Sequence, residues 1–593
     1  MSGRIAYALL LLLLLALAVP TAYAGTVPLE DSGDKPYILV TLPVLADIIS
    51  GIAGERATVE SLVSPGIAVI TYELTPRDSA RIEEASIFIY VGYGSEEVLG
   101  EYAKSIREYR GVVRLLDVLE PAGIASEDNP YFWLDPLRTA NSLDYLVDIL
   151  SRVDPEGRQY YESRAAQLRE RLLELDEWIK EKVSLIPEDQ RLLVTVRDTM
   201  RYYAERYGFE VVGFIVARPG TYEPTAGSVT RLLDAMIEKG VRVAFIEYEE
   251  AGTTLREVLE TISEEAGVRT VEFLYIESLA PQLGVSSYEE LMKANTMTLV
   301  ENLARGRENG QASAGESVYK GSLFILEPFR YDFMIRGTLT LIAAMAASAL
   351  VGSFAVIRGW AIFGDALAHG ALAGLVVAYF IGASFYFGAL AAGLFVALSV
   401  SAVERRTRLR ADVVIAVTFV TMLSISIALL SRAGGATISI EDVLFADVTA
   451  VSPEMMARTV GLSLAIIAFT IAIGRHLLVY VVDPVIAAAM GVRTGILHYS
   501  LLALLALTIV TAFFAIGYVP AIAAMMVPPA TAFIISRRPV EFMVKSVGIA
   551  VVSAIAGVYA SYYLDVNAGA SAILVSAGMF AVAVATHKAA NSR

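Results

Sequence analysis

The chain has 593 residues, is 55% hydrophobic with a mean hydropathy of +0.57, and carries a formal net charge of −16. It is too apolar for an ordinary soluble protein and too charged for a bare bundle of membrane helices. The acidic balance argues against a nucleic-acid partner, and the absence of cysteine excludes disulfides, thiolate metal sites and a cysteine nucleophile.

Residues 1–24, "MSGRIAYALLLLLLLALAVPTAYA", place Arg4 before an apolar core and end on the small residues Ala22 and Ala24. This is the pattern of a secretory signal, either cleaved or kept as an anchor. Residues 25–330 are therefore expected on the extracytoplasmic side. Within 25–304, short β-branched runs ("YILVTLPVL", "SIFIYVG", "VVRLLDV", then "RLLVTV", "FEVVGFIV", "VRVAFIEY", "RTVEFLYI") alternate with helical patterns, which predicts α/β layers on mostly parallel sheets. One long charged helix, Asp154 to Leu185, separates the two strand groups, so two lobes on a rigid spine helix are expected. A coiled-coil arm is the lesser reading, because the apolar positions do not read as a heptad.

Residues 305–330 are polar and rich in Gly and Ser at their start, as a tether should be. From 331 to 593 the chain is an all-α polytopic membrane domain of about nine spans, beginning near Gly337, Phe363, Ser384, Val413, Thr459, Ser500, Tyr518, Ser546 and Ala568. With the start outside, the arginine-rich turns "ERRTRLR" and "SRRPVEFMVK" fall on the inner side, as the positive-inside rule requires.

Within the apolar half, "GDALAHGALAG" carries chemistry: Asp365 and His369 stand four residues apart on one helical face within an apolar tract. Either they satisfy each other and a neighbouring backbone, or they line a solute path as transient ligands for a divalent metal. Pro528 and Pro529 interrupt a later span, which marks a gate or a packing kink. His476 reads as interfacial, and His498 and His587 as ordinary span-end residues.

In order along the membrane half, "RGWAIFGDALAHGALAG", "DVLFADVTAVS", "DPVIAAAMGVRTG" and "IGYVPAIAAMMVPPATAFI" resemble the permease subunit of zinc/manganese-type ABC importers. The resemblance implies a homodimer formed through this domain in contact with membrane lipid. It implies that Asp365 and His369 touch metal in transit, and that the segment containing Asp483, Pro484, Gly491 and Arg493 docks on an ATPase. No phosphate-binding loop of the form G-x-x-x-x-G-K-[ST] occurs, so a separate ABC ATPase subunit is expected as partner.

The first half is similar to the metal-binding periplasmic or lipoprotein receptors that serve such permeases, through "SPGIAVITYELTPRD", "DNPYFWLDP", "VTVRDTMRYYAERYGFE", "YEPTAGSVTRLLDAMIEKGVRVAFIEYE" and "YIESLAPQLGVSSYEELMKANTMTLVENL". Such receptors hold metal with three histidines and a carboxylate. The matching positions here are Ile70, Tyr131, Arg197 and Glu277, so all three histidines are missing. Isoleucine ligates nothing and a guanidinium repels a cation, so a nitrogen-rich zinc site cannot form there. Arg197 and Glu277 are instead expected to pair across the cleft, or Arg197 to take an anionic group of another solute. Glu73, Glu247, Glu249 and Glu250 offer a harder, oxygen-only site, although the "FIEYEE" charges read more readily as a solvated strand end.

The combined expectation is a receptor–permease fusion of an ABC importer for a divalent cation, which is cargo and not a permanently bound cofactor. The alternatives are an importer of a different solute, or a permease whose exported domain is a ligand-free cap. No H-E-x-x-H, catalytic cysteine or nucleophile-elbow motif suggests an enzyme.

Overall fold

The computed structural model describes residues 35–591 except 66, 68, 70, 71, 73, 95, 108–110, 217–223, 251–252, 305–326, 361–362, 381–382, 408, 410, 433–449 and 565. The signal or anchor segment, most of the tether, Ile70, Glu73, the first two residues of "YEPTAG" and most of "DVLFADVTAVS" lie outside the described residues.

The N-terminal part holds two four-stranded sheets, each wholly parallel. The first is built from β1 (Tyr37–Val40), β2 (Thr58–Ser61), β3 (Ile87–Tyr90) and β4 (Val112–Arg114), and the second from β5 (Leu192–Arg197), β6 (Glu210–Val216), β7 (Val243–Glu247) and β8 (Arg269–Leu274). Strand orders are β2-β1-β3-β4 and β6-β5-β7-β8, so the same topology occurs twice. β3 and β7 are buried along their whole length, which is why β3 and the first four residues of β7 read as continuous apolar runs rather than as alternating ones. In both sheets the chain crosses over on either side of the first strand. The carboxyl ends of β1/β3 and of β5/β7 therefore flank a crevice of the kind in which α/β sheets place ligands.

Helix α1 (Pro43–Ala53) follows β1, α2 (Pro136–Leu150) begins at the cap Asp135, and α3 (Arg158–Val183) lies between the two sheets in sequence. The α3 helix packs on α1, α2 and α7 (Tyr288–Leu303), with α4 (Arg201–Tyr207), α5 (Ala226–Lys239) and α6 (Thr254–Ala266) between it and α7 in the chain. Its buried apolar positions are Tyr161, Ala165, Leu168, Leu172, Leu175, Ile179 and Val183. From Tyr161 to Ile179 these alternate by four and three, a heptad-like stripe that the sequence pattern hid because the off-stripe Leu173 is also apolar. The stripe is covered by the protein's own helices. Asp176, buried on this helix, accepts from Arg206 (2.8 and 2.5 Å) and from the Tyr207 hydroxyl (2.9 Å), fastening α4 to α3.

The C-terminal part is helical: α8 (Asp332–Arg358), α9 (Phe363–Phe380), α10 (Phe385–Arg406), α11 (Ala411–Arg432), α12 (Pro453–Val482), the short α13 (Pro484–Ala489), α14 (Thr494–Ile516), α15 (Tyr518–Ile535), α16 (Pro539–Leu564) and α17 (Ala568–Asn591). Among the described residues, seven of these are long and apolar enough to cross a membrane. Phe363–Ala378 and Val413–Ile425 are apolar over shorter lengths. The most enclosed is α8, which packs on α12, α14, α15 and α16.

Close helix approach has a visible cause in two places. Pro529 has no N–H to give Met525 four residues earlier, and a Cβ built on Gly352 of α8 would lie 2.0 Å from that Met525 carbonyl oxygen. The prolines of this span thus coincide with a tight helix contact. Likewise, a Cβ on Gly374 of α9 would lie 2.2 Å from the Gly388 carbonyl oxygen of α10.

The two parts touch through α5 and α6. The Glu265 carboxylate accepts from the backbone N–H groups of Asp332 (2.7 Å) and Phe333 (3.0 Å), capping α8, whose own N-cap residue Tyr331 supplies no side-chain cap. The Tyr331 hydroxyl donates to Asp234 (2.9 Å), and the Ala226 N–H donates to the Ser561 hydroxyl oxygen (3.2 Å). The chain has no cysteine of its own, so Ala226→Cys with Ser561→Cys tests this contact cleanly. Mild oxidation is expected to link the pair within one chain, shifting the monomer band on a non-reducing gel. A dimer band, or no shift, would contradict the contact.

Candidate functional site

The cleft residues stand at or just after the carboxyl ends of the central strands. Arg197 ends β5, Glu247 ends β7, Tyr93 follows β3, and Glu277 follows β8. Tyr131 immediately precedes the turn Phe132–Leu134, where the buried Trp133 donates its Nε1–H to the Ile276 carbonyl (2.7 Å). The structure brings Tyr131, Arg197 and Glu277 into one electrostatic neighbourhood. The phenol of Tyr131 is pushed well above its ordinary pKa by burial and then by the Glu277 charge.

The expected ion pair between Arg197 and Glu277 is not what forms. Arg197 pairs through Nε with Glu250, which follows β7 in the same lobe. Glu277 accepts instead from the Tyr93 hydroxyl (2.6 Å), a contact from one sheet's lobe to the other. Burial raises the Glu277 pKa, against the lowering effect of that hydrogen bond and of the nearby Arg197 charge. The reason is local: Glu250 lies in the turn that directly follows β7, the strand next to β5, whereas Glu277 follows β8, one strand further away.

The "FIEYEE" carboxylates are not a solvated strand end. Glu247, Glu249 and Glu250 are buried. Glu247 accepts from the N–H groups of Val196 and Arg197 (both 2.9 Å), and Glu249 Oε1 accepts from those of Ile276 (3.2 Å), Glu277 (2.8 Å) and Ser278 (2.7 Å). In the first lobe, Glu96 does the same for Val91 (3.0 Å) and Gly92 (2.8 Å), and also accepts from the Thr41 hydroxyl. Each acid therefore organises the loop that carries a cleft residue. Burial pushes Glu96 and Glu247 up to about 7 and Glu249 up to about 8. Among the described residues, no group of three or more His, Asp or Glu is arranged to hold an ion. Tyr93 and Glu96 were missed in the sequence, although their place at the end of the buried strand "IFIY" could have signalled them.

In the helical part, Asp365 and His369 do share a face near the start of α9. Their facing atoms, Asp365 Oδ1 and His369 Nε2, are 3.9 Å apart. Both are held by a residue that sequence reasoning overlooked. The Tyr518 hydroxyl, from the first residue of α15, donates to Asp365 Oδ1 (2.6 Å) and lies 2.6 Å from His369 Nε2. The imidazole packs against both Tyr518 and Phe419, with ring centroids 4.9 and 4.8 Å away. A carboxylate and an imidazole facing one point, in an otherwise apolar helix set, form a pair suited to borderline divalent cations.

His498 proves more than a span-end residue: it is buried between the Ser401 hydroxyl (2.6 Å) and the Tyr480 hydroxyl (2.8 Å), joining α10, α12 and α14. At the α12–α13 junction, Asp483 caps α13 by accepting from Val485 (2.8 Å) and Ile486 (3.0 Å), and Pro484 occupies its first position. Gly491 follows with φ +79°, a conformation that side chains disfavour, and Arg493 precedes α14.

Residues 38–302 match the family described as zinc-uptake complex component A, periplasmic, and residues 330–587 match the ABC 3 transport family. The manganese transport system membrane protein MntC of Halalkalibacterium halodurans is 34% identical over 262 residues, covering 44% of this chain and 90% of that protein. The chain belongs to the ABC 3 transport family. To its permease domain is joined a solute-binding domain of the zinc-uptake component A kind. The manganese-binding lipoprotein MntA of the same organism is 29% identical over 279 residues, covering 46% of this chain and 91% of that protein. The periplasmic zinc binding protein TroA from Treponema pallidum is 24% identical with a TM-score of 0.43, covering 46% of this chain and 100% of that one. A family of transport proteins, with helices apolar enough to cross a membrane, makes this a membrane protein and not a catalyst.

Proposed function

We propose that the protein is the receptor–permease fusion of an ABC importer for a divalent metal cation of the zinc/manganese class. The observation that carries the reading is the convergence of Asp365 and His369 on one point within the permease helices, in a chain whose two parts both resemble metal-transport proteins. Those two resemblances favour metal over a different solute, and a working receptor over a ligand-free cap.

In this reading residues 1–24 are a signal or anchor, 25–304 form the extracytoplasmic receptor on its spine helix α3, 305–330 tether it, and 331–593 cross the membrane nine times. Among the described residues, seven helices long and apolar enough to cross, together with the shorter apolar stretches of α9 and α11, support that count. Two copies pair through the permease domain within the lipid. A separate ATPase docks on the segment containing Asp483, Pro484, Gly491 and Arg493, where Val485, Ile486 and Met490 leave apolar surface exposed. The receptor cleft, with Tyr131, Arg197 and Glu277, would take the cation through oxygen donors if it takes it directly, since no histidine is available there.

Removing the chain from its host cell is expected to abolish most high-affinity uptake of radioactive manganese or zinc, with restoration by the intact chain. Unchanged uptake of both metals would overturn the reading.

A further inference from the structure

We propose that Tyr518 is a gate whose hydroxyl occupies the cation position between Asp365 and His369 and must swing aside for an ion to pass. This rests on the reading of that pair as cation ligands. Oxygen and nitrogen ligands hold zinc at roughly 2.0–2.2 Å. A hydroxyl oxygen 2.6 Å from both Asp365 Oδ1 and His369 Nε2, which are themselves 3.9 Å apart, stands in the space where an ion bridging the two would sit.

The hydrogen bonds also engage the atoms that an ion needs. A phenol has one proton. When that proton goes to Asp365, the contact with His369 is made by an imidazole N–H donating to the phenol oxygen, so neither facing atom presents a free lone pair at that point. A neutral phenol is itself a poor donor to a divalent cation, so the hydroxyl is better suited to block the position than to share in ligation.

The backbone shows which member of the trio moves. His369 sits in the interior of α9 with the Phe419 ring packed against its own. Tyr518 is the first residue of its helix, is only partly buried, and directly follows Gly517 at φ 84° and ψ 166°. That conformation favours glycine, and it places a single-residue pivot at the base of the tyrosine. Retraction of the start of α15 opens the position without disturbing α9.

The test uses the purified full-length chain in lipid nanodiscs with Mn2+ alone as probe, measured by equilibrium dialysis. Wild type, Tyr518→Phe and Tyr518→Leu are compared, each with and without Asp365→Asn, so that only Asp365-dependent binding is counted. Both Tyr518 variants are expected to raise that affinity at least tenfold over wild type, and Asp365→Asn to cancel the gain. Equal or weaker Asp365-dependent binding would make Tyr518 a ligand or a bystander and overturn the gate, while leaving the importer intact. If no form shows Asp365-dependent binding, the metal path through the pair falls, and the gate falls with it.

Discussion

Asp365→Asn is expected to lower manganese or zinc uptake by at least about 100-fold, with the protein still present in the membrane in normal amount. The scale follows from metal sites in general, where removing even the outer partner of a ligand costs roughly 10–100-fold in affinity. Asp365 is placed to be a direct partner, with its carboxylate facing the Tyr518 hydroxyl and the His369 ring. Asparagine keeps the shape and an oxygen to accept from Tyr518, so the helix contacts between α9 and α15 survive while the charge is lost. Its side chain is 30% exposed, and neutralising it leaves no buried charge behind. Radiometal uptake by cells, with the membrane content of the variant measured alongside, checks the result; uptake within a factor of two of wild type would contradict it.

Glu249→Ala carries the largest expected loss of stability. It leaves the N–H groups of Ile276, Glu277 and Ser278 without their acceptor, at about 1–3 kcal/mol for each unsatisfied buried donor. Relaxation of the loop recovers part of that, so a loss of about 3 kcal/mol or more is expected, together with misplacement of Glu277 in the cleft. Glu249→Gln retains an oxygen for all three donors and is expected to keep most of the stability.

The same residue sets a pH dependence. Burial, and then the Glu277 charge, push Glu249 up to about 8, whereas an unfolded glutamate titrates near about 4.3. Between those values the folded chain binds more protons than the unfolded one, so this contribution to stability is complete below the lower pKa and is lost as pH rises through the higher. Glu96 and Glu247, each raised to about 7, act in the same direction. The melting temperature of the receptor part is expected to fall from pH 5 to pH 8, with a shallower fall in Glu249→Gln. A melting temperature that rises over this range in both forms would contradict the assignment.

Much of the architecture was legible because it is written in local periodicity. The parallel strand Ile87–Tyr90 and residues 243–246 of Val243–Glu247 are continuous apolar runs because both of their faces are covered. The long apolar helices follow from hydropathy over a span's length. The shared face of Asp365 and His369 follows from the pitch of one helix. These features depend on neighbours a few residues away, and the local order of residues specifies them.

The site's partners depend on something else. Tyr518 meets Asp365 across 153 positions, Tyr93 meets Glu277 across 184, and Glu265 caps α8 from 67 residues upstream. Which carboxylate pairs with Arg197 was decided by the strand order β6-β5-β7-β8, which puts Glu250 beside it and Glu277 one strand further away. The buried state of Glu247 and Glu249 was likewise invisible in "FIEYEE". Glu247 and Glu249 are retained in a dry interior because backbone N–H groups from other segments converge on them, and that convergence exists only once the sheets have formed. The chain by itself determined that there are two parts, one soluble-like and one apolar, with a charged pair inside the second. Only the tertiary structure decided what those charges face, because strand order and helix packing join residues that no local pattern relates.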